Sequence, residues 1–205
     1  MGPVRAAVAS LLLAGALVAA GCNRGDDPTV GPGAGGSTIP GSSLGTSATT
    51  APPPPAVVGM RPPITAPGPG ERGFLTDVRI GARTTGDRIV FEFDPVVPAY
   101  SIDFTTRPVT QDGSGKPVDV AGEALLAVRF EDSATARFEG ERVIPTFDGP
   151  RRLKGEDTAV VTEAVLIGDF EGIVSWVVGL RARPETLSVS VLSGPSRLVV
   201  DVPSA

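Results

Sequence analysis

The 205-residue chain contains no histidine. That absence removes the Ser-His-Asp and Cys-His nucleophile systems and every His-ligated metal site. A single cysteine, Cys22, means that no disulfide can form within the chain. Lysine is scarce: 2 of the 18 basic residues are Lys and 16 are Arg, a bias that suggests a GC-rich genome. Basic charge is also outweighed. The formal net charge is −5 and the isoelectric point is about 4.8, which argues against a nucleic-acid partner, since such binding rests on neutralising phosphates. What is abundant is Gly (26) and Pro (21). Both break helices, so an all-helical protein is excluded.

Residues 1–21 carry one charge, Arg5. Ala6 to Ala20 form a run of 15 small or apolar side chains broken only by Ser10 and Gly15, and Ala19-Ala20-Gly21-Cys22 follows. A positive start, an apolar stretch and small residues before a cut define a secretory signal peptide. The Cys at its end resembles the lipobox of bacterial lipoproteins, with Ala19 standing where that family usually has Leu. The resemblance implies cleavage before Cys22 and attachment of diacylglycerol to its sulfur. Two or more acyl chains would then hold the protein on the outer face of the cell membrane. Plain secretion and an uncleaved anchor are the alternatives. The second is disfavoured by length, because 15 helical residues span about 22 Å against a hydrocarbon core of roughly 30 Å.

After Cys22 the composition changes. Residues 23–72 include 11 Pro, 10 Gly and 10 Ser or Thr, with Pro52 to Pro55 consecutive. No apolar periodicity survives, so the stretch reads as a disordered linker. As a flexible coil it would span about 40 Å, and drawn out as polyproline II roughly 155 Å. Its expected role is to carry the following domain away from the membrane into the cell wall.

Residues 73–205 hold 14 basic and 20 acidic residues, a formal −6. This part reads as short strands of period two. Val78 and Ile80 alternate with polar neighbours. So do Ile89, Phe91 and Phe93; Tyr100, Ile102 and Phe104; and Leu126, Val128 and Phe130. Val160 to Ile167, Ile173 to Leu180, Leu187 to Val191 and Leu198 to Val202 complete about eight. Gly168 to Gly172 reads as a turn, 107–122 as turn-rich, and a short helix is expected in 132–137. Asp87 to Phe93 and Ser196 to Val202 share the order polar, Arg, aliphatic, Val, apolar, acid, apolar. The expected fold is all-β, an antiparallel sandwich or partly closed barrel.

Val78-Arg79-Ile80-Gly81, Arg88 to Phe93, Gly149-Pro150-Arg151-Arg152-Leu153, Gly168 to Gly172 and Leu192 to Val202 together resemble the AMIN domain. They are closer still to the AMIN-like domain of actinobacterial lipoproteins. The resemblance covers most of 74–203. It implies a non-catalytic β-sandwich module associated with envelope targeting and peptidoglycan binding. No amidase domain is expected beside it, since the zinc ligands of such an enzyme would include His. No catalytic residue, cofactor or metal is therefore expected, and the partner is either the cell wall or another exported protein.

Gly113-Ser114-Gly115-Lys116 fails as a phosphate loop, because Thr110 stands where its first Gly belongs and Pro117 follows the Lys. Acid pairs occur at Asp169 and Glu171, at Glu139 and Glu141, and at Glu156 and Asp157. Two neighbouring acids establish neither a glycosidase pair nor a calcium site. Asp169 and Glu171 are kept as candidate ligand contacts. Arg151 and Arg152 are candidates because guanidinium groups bind carboxylates in two-point fashion and peptidoglycan stems carry carboxylates. Trp176 and Tyr100 could stack on sugars. Trp176 lies on the apolar face of its strand and reads as core, which leaves Tyr100 as the candidate.

Overall fold

Ile89, Phe91 and Phe93 point into a core where each is at most 2% exposed, while Arg88, Val90 and Glu92 on alternate positions stay partly open. That period-two division repeats along the chain and sets the architecture. A computed structural model describes residues 59–204. Cys22, the signal segment and most of the linker lie outside the described residues.

The described residues contain no helix and form thirteen strands. In chain order these are β1 (Ile64–Ala66), β2 (Gly73–Arg83), β3 (Gly86–Asp94), β4 (Tyr100–Thr105), β5 (Ala124–Glu131), β6 (Ser133–Ala134), β7 (Ala136–Glu139), β8 (Arg142–Pro145), β9 (Arg152–Lys154), β10 (Val161–Phe170), β11 (Ile173–Leu180), β12 (Ser188–Leu192) and β13 (Ser196–Pro203). One sheet has the order β1-β4-β5-β11-β10-β9 and the other β12-β13-β3-β2-β6. A β7–β8 ribbon stands apart from both. All pairings are antiparallel except β2 with the two-residue β6. The all-β sandwich expected from the periodicity is the fold.

Aromatic rings fill the middle. Phe130 stacks against Phe91 and Phe93, with centroids 5.1 and 4.7 Å apart, and Trp176 meets Phe91 and Phe147 at 6.1 and 5.9 Å. Trp176 is fully buried, as its apolar strand face required. Asp87, 1% exposed at the start of β3, spans from one sheet to the other. Its carboxylate accepts the N–H groups of Ala159, Val160 and Val161 at 3.0, 2.5 and 2.7 Å.

The five shortest strands, β1 and β6 to β9, are the ones that periodicity did not show, because two to four residues hold too few alternations to read. β1 also moves the start of the folded body. Ile64, inside the segment read as linker, is 6% exposed and pairs with Ile102, and Met60 exchanges backbone hydrogen bonds with Leu187. The surrounding prolines masked this segment. The helix expected in 132–137 is instead β6 and the start of β7. Ser133 is buried there, its N–H donating to the Gly172 carbonyl and its hydroxyl to the Gly73 carbonyl, so tertiary pairing overrides the local alanines. The turn read at 168–172 is shorter than expected. β10 continues to Phe170, and Glu171 and Gly172, at φ 50° and 78°, make a two-residue turn whose handedness matches the strand twist.

The two similar segments 87–93 and 196–202 prove to be adjacent strands in opposite directions. Reversal brings each Arg opposite the other strand's acid. Arg88 faces Asp201 in a two-point ion pair at 2.6 and 2.8 Å. Arg197 stands in register with Glu92, whose bonded partner is instead Arg79.

A second apolar layer lies on the far side of the six-stranded sheet. Val165, Ile167 and Val177 are buried there against Val109, Val120 and Leu125. Residues 106–123, between β4 and β5, cover that face, which is why β10 and β11 are buried on both sides. The cover comes so close at Gly179 that a Cβ there would collide with the Ala121 carbonyl oxygen. Only glycine admits that approach.

Candidate functional site

On its way across the sheet the 106–123 segment leaves a cleft of about 760 Å³ against β9 and β10, lined by Arg107, Pro108, Val118, Arg152, Lys154 and Glu163 among others. Strand alternation sets its basic wall. Arg152 and Lys154 are two apart in β9, so both project from the same face, while Leu153 between them packs toward the core. Val165 and Glu163 are their register partners on β10.

Glu163 is 6% exposed, and burial of a carboxylate demands partners. Its Oε1 accepts the Ala121 N–H at 2.7 Å and Nη1 of Arg152 at 2.5 Å. Nη2 of Arg152 donates to the Asp119 carbonyl at 2.8 Å. Arg107 holds the same segment from its other end, with Nη2 donating to the carbonyls of Val120 and Gly122 at 2.8 and 2.7 Å. Each guanidinium thus spends two of its five N–H donors on fixing itself and keeps three. Lys154 is exposed and makes no ion pair among the described residues. The result is a partly apolar cleft with prepositioned cations, in a domain whose overall charge is negative. Chemically, it suits a carboxylate.

The structure disperses the residues singled out from sequence. Arg152 is in the cleft. Arg151 is not: its side chain is exposed elsewhere, and its carbonyl accepts the Leu166 N–H. Arg151 precedes β9 and is absent from the cleft lining, so the two arginines do not act there as a pair. Asp169 bonds within the chain, accepting the N–H of Thr135 at 3.0 Å and the Thr135 hydroxyl. Glu171 sits exposed in the β10–β11 turn. Among the described residues no three acidic or thiol side chains gather as a cation site. Tyr100 is half-buried against the core, opposite Phe130 on β5, and does not line the basic cleft. Cys22 lies outside the described residues. Arg107 and Lys154 were the residues missed. Lys154 was readable from period two beside Arg152, whereas Arg107 enters only through the tertiary path of its segment.

Burial raises the Tyr100 phenol above its ordinary pKa of 10.0. The folded state therefore holds this proton more tightly than the unfolded chain does. That contribution to stability is complete below pH 10 and is lost as the pH rises through the folded-state value. Tyr100 is the only tyrosine, so the alkaline change in near-ultraviolet absorbance that accompanies phenol ionisation reports it alone. We expect a midpoint above that of free tyrosine, with Tyr100→Phe removing its share of the alkaline loss of stability. A midpoint at or below 10 would show the ring to be solvated.

Two other cavities contain charges that are already engaged. One of about 500 Å³ is lined by Asp87, Arg88 and Asp201, all bonded to one another or to backbone as described above. A neighbour of about 520 Å³ contains Arg183, which stacks on the Phe104 ring with its central carbon 4.0 Å from the centroid.

The described residues thus form an acidic β-sandwich with a basic cleft under one long covering segment. The AMIN-like domain family model matches residues 73–204. The chain belongs to the AMIN-like domain family, which points to a cell-wall-related binding module. No curated protein and no solved structure matches it.

Proposed function

We propose that this protein is a membrane-anchored envelope lipoprotein, held by lipid on Cys22, whose domain binds peptidoglycan without catalysing a reaction. The observation that carries the reading is the convergence of Arg107, Arg152 and Lys154 on one cleft of an acidic AMIN-like domain. Stem peptides of the wall present carboxylates, and guanidinium and ammonium groups bind them. The Pro- and Gly-rich segment before the domain supports placement within the wall, at a distance from the membrane.

Sedimentation of the full-length protein in detergent with isolated sacculi tests the cleft. Retention is expected at low salt and release at high salt, because exposed charge pairs are screened. Lys154→Gln should weaken retention about three- to tenfold while leaving the melting temperature unchanged, since the Lys154 side chain makes no ion pair among the described residues. Failure of the unaltered protein to pellet, or retention indifferent to salt, would remove the reading. For the anchor, fatty-acid labelling should be lost in Cys22→Ser. Retained label would place the lipid elsewhere.

A second reading, docking of an exported protein, is favoured by one observation. Phe138 and Val143 are cross-strand partners on the β7–β8 ribbon and are 74% and 57% exposed. A partner crosslinked in membranes and lost in Phe138→Ser, without sacculus binding, would select it.

A further inference from the structure

A smaller cavity of about 190 Å³ opens beside the same covering segment, with Pro108 and Val109 shared between its lining and that of the basic cleft. Its polar lining includes Arg129, Asp112, Ser175, Thr105 and Thr110. Three observations single it out. First, Ser175 is 0% exposed, lines this cavity, and its hydroxyl has no hydrogen-bond partner among the described residues. A buried hydroxyl without a partner is costly and calls for an explanation. Second, Arg129 and Asp112 line one small space with opposite charges, yet neither forms an ion pair among the described residues. Third, the chain makes room for the acid. A Cβ at position 168 would collide with the Asp112 side chain, so that carboxylate rests on bare backbone, with the Asp112 N–H tied to the Ile167 carbonyl at 3.0 Å.

Register sets the spacing of these groups. Arg129 on β5, Ser175 on β11 and Gly168 on β10 are successive partners across three strands. The outer Cα atoms of that row are about 10 Å apart, two strand spacings, with Arg129 rooted at one end, the Asp112 side chain against Gly168 at the other and Ser175 between them. A group carrying an ammonium and a carboxylate on one carbon separates its N and O by about 2.7 Å. With a charge-assisted hydrogen bond of about 2.8 Å at each end, it bridges about 8 Å.

We propose that this cavity binds an α-amino-carboxylate head group, its carboxylate toward Arg129, its ammonium against Asp112 and its carboxylate edge meeting the Ser175 hydroxyl. The volume is that of about six water molecules, enough for a small amino acid or for the end of a longer one. The site is separate from the basic cleft and does not depend on the wall-binding reading. The same head group occurs on free amino acids and on a diamino acid within a wall peptide.

Calorimetric titration of the full-length protein in detergent decides the matter. The probes are alanine of either hand, N-acetyl-alanine, alanine amide, and a peptide whose diamino acid keeps ammonium and carboxylate on one carbon. Alanine should bind, and the two blocked forms should each bind at least about tenfold more weakly. Asp112→Asn should lose the preference over the acetylated form, and Arg129→Gln the preference over the amide. Ser175→Ala should weaken alanine binding without lowering the melting temperature, since the hydroxyl bonds nothing in the fold. Competition by the peptide would assign the head group to the wall, and binding of free alanine alone would assign it to a soluble amino acid. Lys154→Gln should leave alanine binding unchanged, which separates this site from the cleft. Absence of alanine binding by the unaltered protein, or equal binding of blocked and unblocked forms, would overturn the proposal.

Discussion

Asp87→Ala is expected to remove about 4 kcal/mol of folding stability, a large share of the roughly 5–15 kcal/mol that domains have. The carboxylate is 1% exposed and takes three backbone N–H groups from residues 159–161, two of them buried. Alanine leaves those donors without partners inside the protein, and each stranded donor costs about 1–3 kcal/mol. The effect is larger than that of a lost surface ion pair because two of the stranded donors are buried. Asp87→Asn should cost less, since one amide oxygen still accepts, but its NH₂ then faces an N–H. Denaturant unfolding followed by the single, fully buried Trp176 measures both. The midpoint should fall without a change in slope. A loss below 1 kcal/mol for the alanine variant would mean that the 159–161 turn relaxes onto other acceptors.

Gly179→Ala should damage stability and binding together. The Ala121 carbonyl lies over Gly179 and accepts the Thr162 hydroxyl at 2.5 Å, while the Ala121 N–H donates to Glu163. An added methyl must push Ala121 away. Both bonds then break, Glu163 loses one of its two donors, and the 106–123 cover lifts from Val165 and Val177. About 3 kcal/mol of stability should be lost. Retention on sacculi should fall even at temperatures where the variant remains folded, because Arg107 and Arg152 are both fixed through this segment. Faster hydrogen exchange at Ala121 would accompany the loss. Unchanged retention in a folded variant would separate the cleft from the cover.

The eight long strands were legible because each carries at least two alternations of apolar and polar residues, as in Ile89, Phe91 and Phe93. β1 and β9 are three residues long and β6 two, and their pairing is decided by neighbours remote in sequence. Val109 and Val120 belong to a core layer, yet they sit among prolines and turn residues that erase any period. The cleft was half legible. Arg152 was identified from chemistry, but with the wrong companion: Arg151 is adjacent in sequence, whereas the strand's two-residue period pairs Arg152 with Lys154. Arg107 lies 45 positions before Arg152, and only the path of the covering segment brings it to the same cleft. The repeated pattern in β3 and β13 was visible, but its meaning, two antiparallel neighbours crossing Arg with acid, needed the register.

The central claim is that the cleft recognises carboxylates of the wall. Sacculi whose free carboxyl groups have been converted to amides test it most directly, sedimented beside untreated sacculi with the unaltered full-length protein. We expect retention on untreated sacculi and its loss on amidated ones, with Lys154→Gln intermediate on the untreated material. Equal retention on both would contradict carboxylate recognition and, with it, the role assigned to Arg107, Arg152 and Lys154.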